Sequence, residues 1–205
     1  MSKDRLILRT IRREPTERRP LWIMRQAGRY LPEYRKLRKK YSFKSLSQSP
    51  ELSTEVTLLP LERYPLDAAI VFADIMSPLP ALGIEFDFDP GPVVANPIRN
   101  QKDVDLLIPP DPEKLASEVI TTLHQTRSAI SEDTALLGFC GAPWTLAAYL
   151  VEGRGVKDFP TLRAFAAAQP DALGSLLKKL SDAMATYLIN QANAGADAVQ
   201  IFDSW

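Results

Sequence analysis

Three short apolar runs, each opened by a polar residue and kept far apart in the chain, constrain the fold most. They are Asp67-Ala68-Ala69-Ile70-Val71-Phe72, Thr134-Ala135-Leu136-Leu137-Gly138-Phe139 and Asp197-Ala198-Val199-Gln200-Ile201-Phe202. Unbroken apolar runs of strand length read as parallel strands buried on both faces, and parallel strands need a crossover, usually helical, between them. The intervening text supplies helices. Ser49-Pro50-Glu51 joins an N-cap, a first-turn proline and a first-turn acid, and it opens a helix that Pro60 is expected to kink or end. Asp111-Pro112-Glu113 repeats that opening and predicts a helix to about Ile130. The clearest helix spans Asp171 to about Ala194. Its Leu173, Leu176, Leu177, Leu180, Met184, Tyr187 and Leu188 form one apolar stripe that reads as core, and Gly195 is placed to terminate it. Between residues 81 and 110, Ile84-Glu85-Phe86-Asp87-Phe88-Asp89 alternates like a strand with one wet face, and Pro90-Gly91-Pro92 turns it back as a β-hairpin.

This alternation predicts an α/β fold with a parallel sheet, read as one domain over residues 1–205, since no repeat, low-complexity tract or linker interrupts it. The pattern alone fits an open sheet or a closed barrel. Two of the runs end in Phe72-Ala73-Asp74 and Phe202-Asp203-Ser204, so polar groups stand just past the carboxyl ends of strands, where α/β proteins of either type build active sites. On residue grounds alone, either aspartate reads first as a helix cap.

The stretch from Pro20 to Arg35 sets Arg25 and Arg29 four residues apart around Gly28. Guanidinium groups stay charged at physiological pH and present planar forks of donors, so such a pair can grip the carboxylates of a polyacidic ligand. Gly28 would let the backbone come close or turn. Net charge is zero over the chain, but residues 1–44 hold 15 Lys/Arg against four acids, a surplus of +11 that the remainder balances. The split favours a local positive lobe over a general nucleic-acid binder. The run Arg35-Lys36-Leu37-Arg38-Lys39-Lys40 reads as a solvated helix face.

Other classes lose support. The single cysteine, Cys140, forms no internal disulfide, no signal peptide is legible, and no apolar run approaches the roughly 20 residues of a membrane helix, so a cytoplasmic protein with no membrane partner is expected. One histidine, His124, and one cysteine give no zinc cluster of usual spacing, and His124 reads as a helix-surface residue. No nucleotide-binding glycine loop is present.

The string Trp22-Ile23-Met24-Arg25-Gln26-Ala27-Gly28-Arg29-Tyr30-Leu31-Pro32-Glu33-Tyr34-Arg35 resembles the amino-terminal signature of the uroporphyrinogen decarboxylase family. Three further blocks resemble the same family in the same order. They are Asp67 to Ile75 followed by Pro80-Ala81-Leu82-Gly83, Gly138 to Gly153, and Gly195 to Ser204. The resemblance implies the amino-terminal part of a (β/α)8 TIM barrel, incomplete in this chain, because such a barrel typically needs about 250 residues and only three or four strands are legible. It implies a carboxy-lyase that converts the four acetates of uroporphyrinogen to methyls, with no metal or organic cofactor, acting as a homodimer when full-length. Arg25, Gln26, Ala27, Gly28, Arg29, Asp74, Tyr149 and Ser204 would bind substrate, with Asp74, Arg25 and Arg29 catalytic. The family's later histidine has no counterpart, so the chain alone is expected to be inactive and poorly stable. Three other readings stand beside this one: a cobalamin-dependent methyltransferase of the same superfamily, a non-catalytic tetrapyrrole binder, and an unfolded remnant. The first uses several His and Cys ligands, and this chain has one of each.

Overall fold

A computed structural model describes residues 5–88 and 91–204. The amino-terminal part holds α1 (Leu6–Ile11), α2 (Pro32–Lys40), α3 (Phe43–Gln48), α4 (Pro50–Arg63) and β1 (Ala68–Ile70). A two-stranded antiparallel ribbon, β2 (Phe86–Phe88) and β3 (Pro92–Val94), follows, then α5 (Gln101–Asp105) and α6 (Ser117–Ala129). Last come β4 (Ala135–Gly141), α7 (Pro143–Glu152), α8 (Pro160–Ala168), α9 (Pro170–Asn193) and β5 (Ala198–Phe202). None of the described helices is long and apolar enough to cross a membrane.

The three apolar runs become one sheet in the order β1-β4-β5. β1 pairs parallel with β4, with Ala68, Ala69 and Ile70 opposite Ala135, Leu136 and Leu137. Every residue of these two strands is buried, as a parallel sheet demands. β5 differs from the expectation of burial on both faces. It lies at the sheet edge, and Val199 and Ile201 are 42% and 51% exposed, because the described chain covers only one of its faces. β1 is also an edge strand, yet it is sealed by α4 and by the segment before α2, through the Asp67 N–H to the Leu21 carbonyl (2.9 Å).

The chain groups into two compact units. The first comprises the described residues up to Asp74, Glu118–Phe139 and Asn190–Gln200. Its core gathers Leu31, Tyr34, Leu46, Val56 and Leu59, with Phe72 packed against them. Polar latches fix the strand starts. Asp197 accepts hydrogen bonds from Arg5 (2.6 Å), Arg127 (3.1 Å) and the Leu136 N–H (2.7 Å), pinning the start of β5 to β4. The second unit comprises Ile75–Ser117, Cys140–Ile189 and the described residues from Ile201. Within it the β2–β3 ribbon joins the end of α7 through the Val94 N–H to the Gly153 carbonyl (2.8 Å). The ribbon is the expected hairpin, although Asp89 and Pro90 of its turn lie outside the described residues.

Helix boundaries follow the sequence signals, with two corrections. Ser49 caps α4 by accepting the Leu52 N–H (3.4 Å), but α4 runs on through Pro60 to Arg63. Pro60 lies inside the helix and leaves the ladder one N–H short, and the burial of its ring against the rest of the unit offsets that loss. The second correction concerns the helix expected from Asp111. Asp111 does cap, accepting the Glu113 N–H (3.0 Å), but it opens only a 3₁₀ turn at Pro112–Lys114. Ala116, at φ 52°, then breaks the path, and α6 begins afresh at Ser117. Buried Leu115 and Ala116 account for the break, since tertiary packing there outweighs helix propensity. Gly195, at φ 103°, ends α9 as expected. His124 is exposed on α6.

Asp67, at the head of β1, forms another latch. It accepts both terminal nitrogens of Arg18 (2.8 and 2.6 Å) and the Leu21 N–H (2.7 Å). The Arg18 hydrogen bonds outweigh desolvation and hold the carboxyl below its ordinary value of 3.8. A depressed carboxylate pKa contributes stability above the unfolded value, and that contribution is lost as pH falls through the folded one. Melting temperature should therefore fall steeply in acid, beginning below about pH 5. Asp67→Asn should melt lower at neutral pH and show a flatter acid limb. An acid limb as steep as that of the wild type would assign the titration to another group.

Candidate active site

In the first unit, the segment carrying Arg25 and Arg29 runs alongside β1 and in the same direction. Leu21 is bonded to Asp67, the Gln26 Nε2 donates to the Ala68 carbonyl (3.0 Å), and Tyr34 meets Phe72 edge-on at 5.8 Å between ring centroids. Phe43 packs on Phe72 in the same manner at 5.7 Å. Phe72 is further tied to α4, because its N–H donates to Thr57 Oγ1 (2.9 Å) and its carbonyl accepts from the Ser53 hydroxyl. Asp74, half-buried, stands two residues beyond this anchor. The next element is a 3₁₀ turn at Leu79–Leu82. The arginine segment and the strand end bearing Asp74 thus share one core.

Between its anchors the segment is a tight loop. The Gln26 side chain is buried and spent on the chain itself, with its Oε1 accepting the Ile23 N–H (3.1 Å). The Tyr30 hydroxyl donates to the Gln26 carbonyl (2.6 Å), the Leu31 N–H donates to the Gly28 carbonyl (3.0 Å), and Arg35 Nη1 donates to the carbonyls of Arg29 (2.8 Å) and Tyr30 (2.9 Å). Three successive N–H groups, those of Ala27, Gly28 and Arg29, have no partner among the described residues. Arg25 and Arg29 are exposed, and neither guanidinium forms a hydrogen bond or ion pair among the described residues. Donors that the chain leaves unused on a rigid loop, flanked by two free cations, suit carboxylates. The conformational reason expected for Gly28 does not hold. Its φ is not left-handed, and an added Cβ would sit at ordinary contact, 3.4 Å from the Arg25 carbonyl and 3.7 Å from the Tyr30 ring.

In the second unit, Tyr149 and Ser204 are organised by Thr145. This residue is buried in the first turns of α7, one turn before the half-buried Tyr149. Its hydroxyl donates to Asp203 Oδ1 (3.0 Å) and accepts the Ser204 N–H (3.0 Å), while the Ala142 N–H donates to the Phe202 carbonyl (2.8 Å). The carboxyl end of β5 is thereby fixed to the helix that carries Tyr149. Sequence reasoning missed Thr145, Tyr30 and Arg35. Thr145, set one helical turn before Tyr149, was a signal that could have been used. The carbonyl partners of Tyr30 and Arg35 leave no trace in the sequence.

Residues 2–205 match the family model described as uroporphyrinogen decarboxylase (URO-D). The chain belongs to the uroporphyrinogen decarboxylase family. Its relatives include the uroporphyrinogen decarboxylases of Coxiella burnetii strain RSA 493 / Nine Mile phase I, 46% identical over 100% of this chain, and of Chloroflexus aurantiacus strain J-10-fl, 45% identical over 99%. The chain spans 57% of the length of each. Among solved structures, a methyltransferase from Methanosarcina mazei superposes with a TM-score of 0.76 at 18% identity, over 95% of this chain and 57% of that one. That likeness concerns the fold, which is α/β and forms the amino-terminal part of a (β/α)8 barrel, incomplete in this chain.

Proposed function

We propose that this chain is the amino-terminal part of a uroporphyrinogen decarboxylase, which removes CO2 from the four acetate side chains of uroporphyrinogen III to give coproporphyrinogen III. Family membership over the whole chain carries the reading. The loop from Gln26 to Arg29 supports it, because unused N–H groups beside two exposed arginines match a substrate carrying eight carboxylates. Arg25 and Arg29 grip side-chain carboxylates, with the backbone of Ala27 and Gly28 assisting. Gln26 serves mainly through its tether to β1. Tyr149 and Ser204 also bind substrate.

The substrate supplies the electron sink. Protonation at a ring carbon makes the pyrrole an iminium-like cation, the bond from the acetate methylene to its carboxylate breaks and CO2 leaves, and the electron pair neutralises the ring as an exocyclic methylene. That methylene then takes a proton to become the methyl, and the ring carbon gives its own proton up to restore the pyrrole. No organic cofactor is called for. Asp74 accepts hydrogen bonds from pyrrole N–H groups and stabilises the cation as it develops. A guanidinium holds its proton too tightly to be a good source of the ring proton, so these groups bind and orient. The reading places the full-length enzyme in the cytoplasm as a homodimer, with a small-molecule substrate and neither nucleic acid nor membrane as partner.

The test is anaerobic incubation of the full-length polypeptide with uroporphyrinogen III in the presence of a chelator, followed by chromatography. Hepta- to tetracarboxylate products are expected. No products, or products only on adding a metal, would overturn the assignment.

A further inference from the structure

Besides the Gln26 tether to β1, two side chains hold the loop that presents Ala27, Gly28 and Arg29, and both act on its carbonyls. In a trans peptide the C=O and the following N–H point in opposite directions, so fixing a carbonyl aims the N–H of the next residue. The Tyr30 hydroxyl holds the Gln26 carbonyl at 2.6 Å and so turns the Ala27 N–H away from the tyrosine. Arg35 Nη1 holds the carbonyls of Arg29 and Tyr30 at 2.8 and 2.9 Å, which fixes the backbone from which the Arg29 side chain departs. Partial desolvation raises the Tyr30 pKa further above its ordinary value of 10, and the hydroxyl remains a donor across the neutral range. Neither bond is needed to build the core. Tyr30 is 51% exposed and Arg35 is exposed, whereas the buried anchors of this segment are Leu31 and Tyr34.

We propose that Tyr30 and Arg35 are positioning residues that pre-form the carboxylate cradle of residues 27–29, acting through the loop backbone without touching the substrate. The inference rests on the proposed carboxylate-binding reading of this loop and adds to it the residues that set its shape. Pre-organisation of this kind lowers the ordering cost of binding, so its loss weakens affinity without removing any ligand contact.

The test uses uroporphyrin, the oxidised octacarboxylate, which carries the same eight carboxylates but does not undergo the reaction. Tyr30→Phe removes one oxygen and keeps the ring, so any stacking of Tyr30 on the macrocycle survives. Arg35→Gln removes the clamp. Fluorescence titration should show each variant binding roughly tenfold more weakly than wild type, with melting temperature nearly unchanged. The salt dependence of binding by Tyr30→Phe should match that of wild type, because no charge is lost. Tyr30→Phe with wild-type affinity would overturn the positioning role of the hydroxyl, and Arg35→Gln with wild-type affinity would overturn that of the guanidinium. An affinity loss that tracks a large fall in melting temperature would make the role structural. A wild-type chain that takes up no uroporphyrin would instead sink the carboxylate-binding reading, and this inference with it.

Discussion

Asp74→Asn in the full-length enzyme is expected to lower kcat by about 10²–10³, the usual cost of removing an electrostatic group aimed at developing charge, while changing KM far less. Asparagine preserves size and one acceptor but loses the negative charge that opposes the pyrrole cation, and that cation exists mainly in the transition state. The position supports this role. Asp74 lies two residues beyond Phe72, which Tyr34, Phe43, Thr57 and Ser53 immobilise, so the carboxylate is carried on a rigid strand end. Arg25→Ala and Arg29→Ala should instead raise KM as well, because a carboxylate grip acts on ground and transition states together. Steady-state kinetics on the three variants separates the cases. Near-normal kcat in Asp74→Asn, with the defect confined to KM or to melting temperature, would return Asp74 to a structural role.

The sheet was legible because its signal is local. Each strand is a short apolar run, and burial on both faces of β1 and β4 leaves no polar residue to confuse the period. The long stripe of α9 and its terminating glycine were legible for the same reason. The exposure of β5 was not, because it depends on which strand stands at the edge, a property of the topology and not of the run itself. Pro60 and Ala116 show the other limit. Burial of the Pro60 ring carries α4 past a proline that local rules would have made its end, while a residue in the left-handed region stops a helix that propensity would have continued.

The candidate site divides along the same line. Arg25, Arg29 and Asp74 are charged groups at special places in the pattern, and their residue types announce carboxylate binding and charge stabilisation. The parts that hold them are hydrogen bonds between side chains and distant backbone. Gln26 to Ala68, Thr145 to Asp203 and Ser204, and Arg35 to Arg29 and Tyr30 carry no spacing rule, and only the folded geometry shows them. Gly28 marks the boundary. Nothing in the chain's own packing demands glycine there, which is compatible with close approach of a ligand to that backbone.

Gly138→Ala is expected to destabilise the protein strongly. A Cβ at this position in β4 would stand 2.4 Å from Gln191 Oε1, 3.1 Å from its Cδ and 3.2 Å from its Cβ. Gln191 is fully buried and has no room to swing aside. Its amide closes a double hydrogen bond with the backbone of Phe139, accepting from the N–H and donating to the carbonyl, each at 2.8 Å. The side chain thus satisfies β4 backbone groups as a neighbouring strand would. Alanine forces it out, adding an overpacking cost of about 1–3 kcal/mol to about 1–3 kcal/mol for each buried polar group left unpaired. With both Phe139 groups unpaired the total is about 3–9 kcal/mol, a large share of the stability of an ordinary domain, and at this size it corresponds to a fall of roughly 10 °C or more in melting temperature. Gly174→Ala supplies the contrast. Gly174 lies in α9, where a new Cβ meets nothing within 4 Å, so the same added methyl should stabilise by about 0.5–1 kcal/mol through helix propensity alone. Thermal unfolding of the two variants beside wild type decides the matter: equal melting temperatures would mean that the Gln191 bridge does not hold β4.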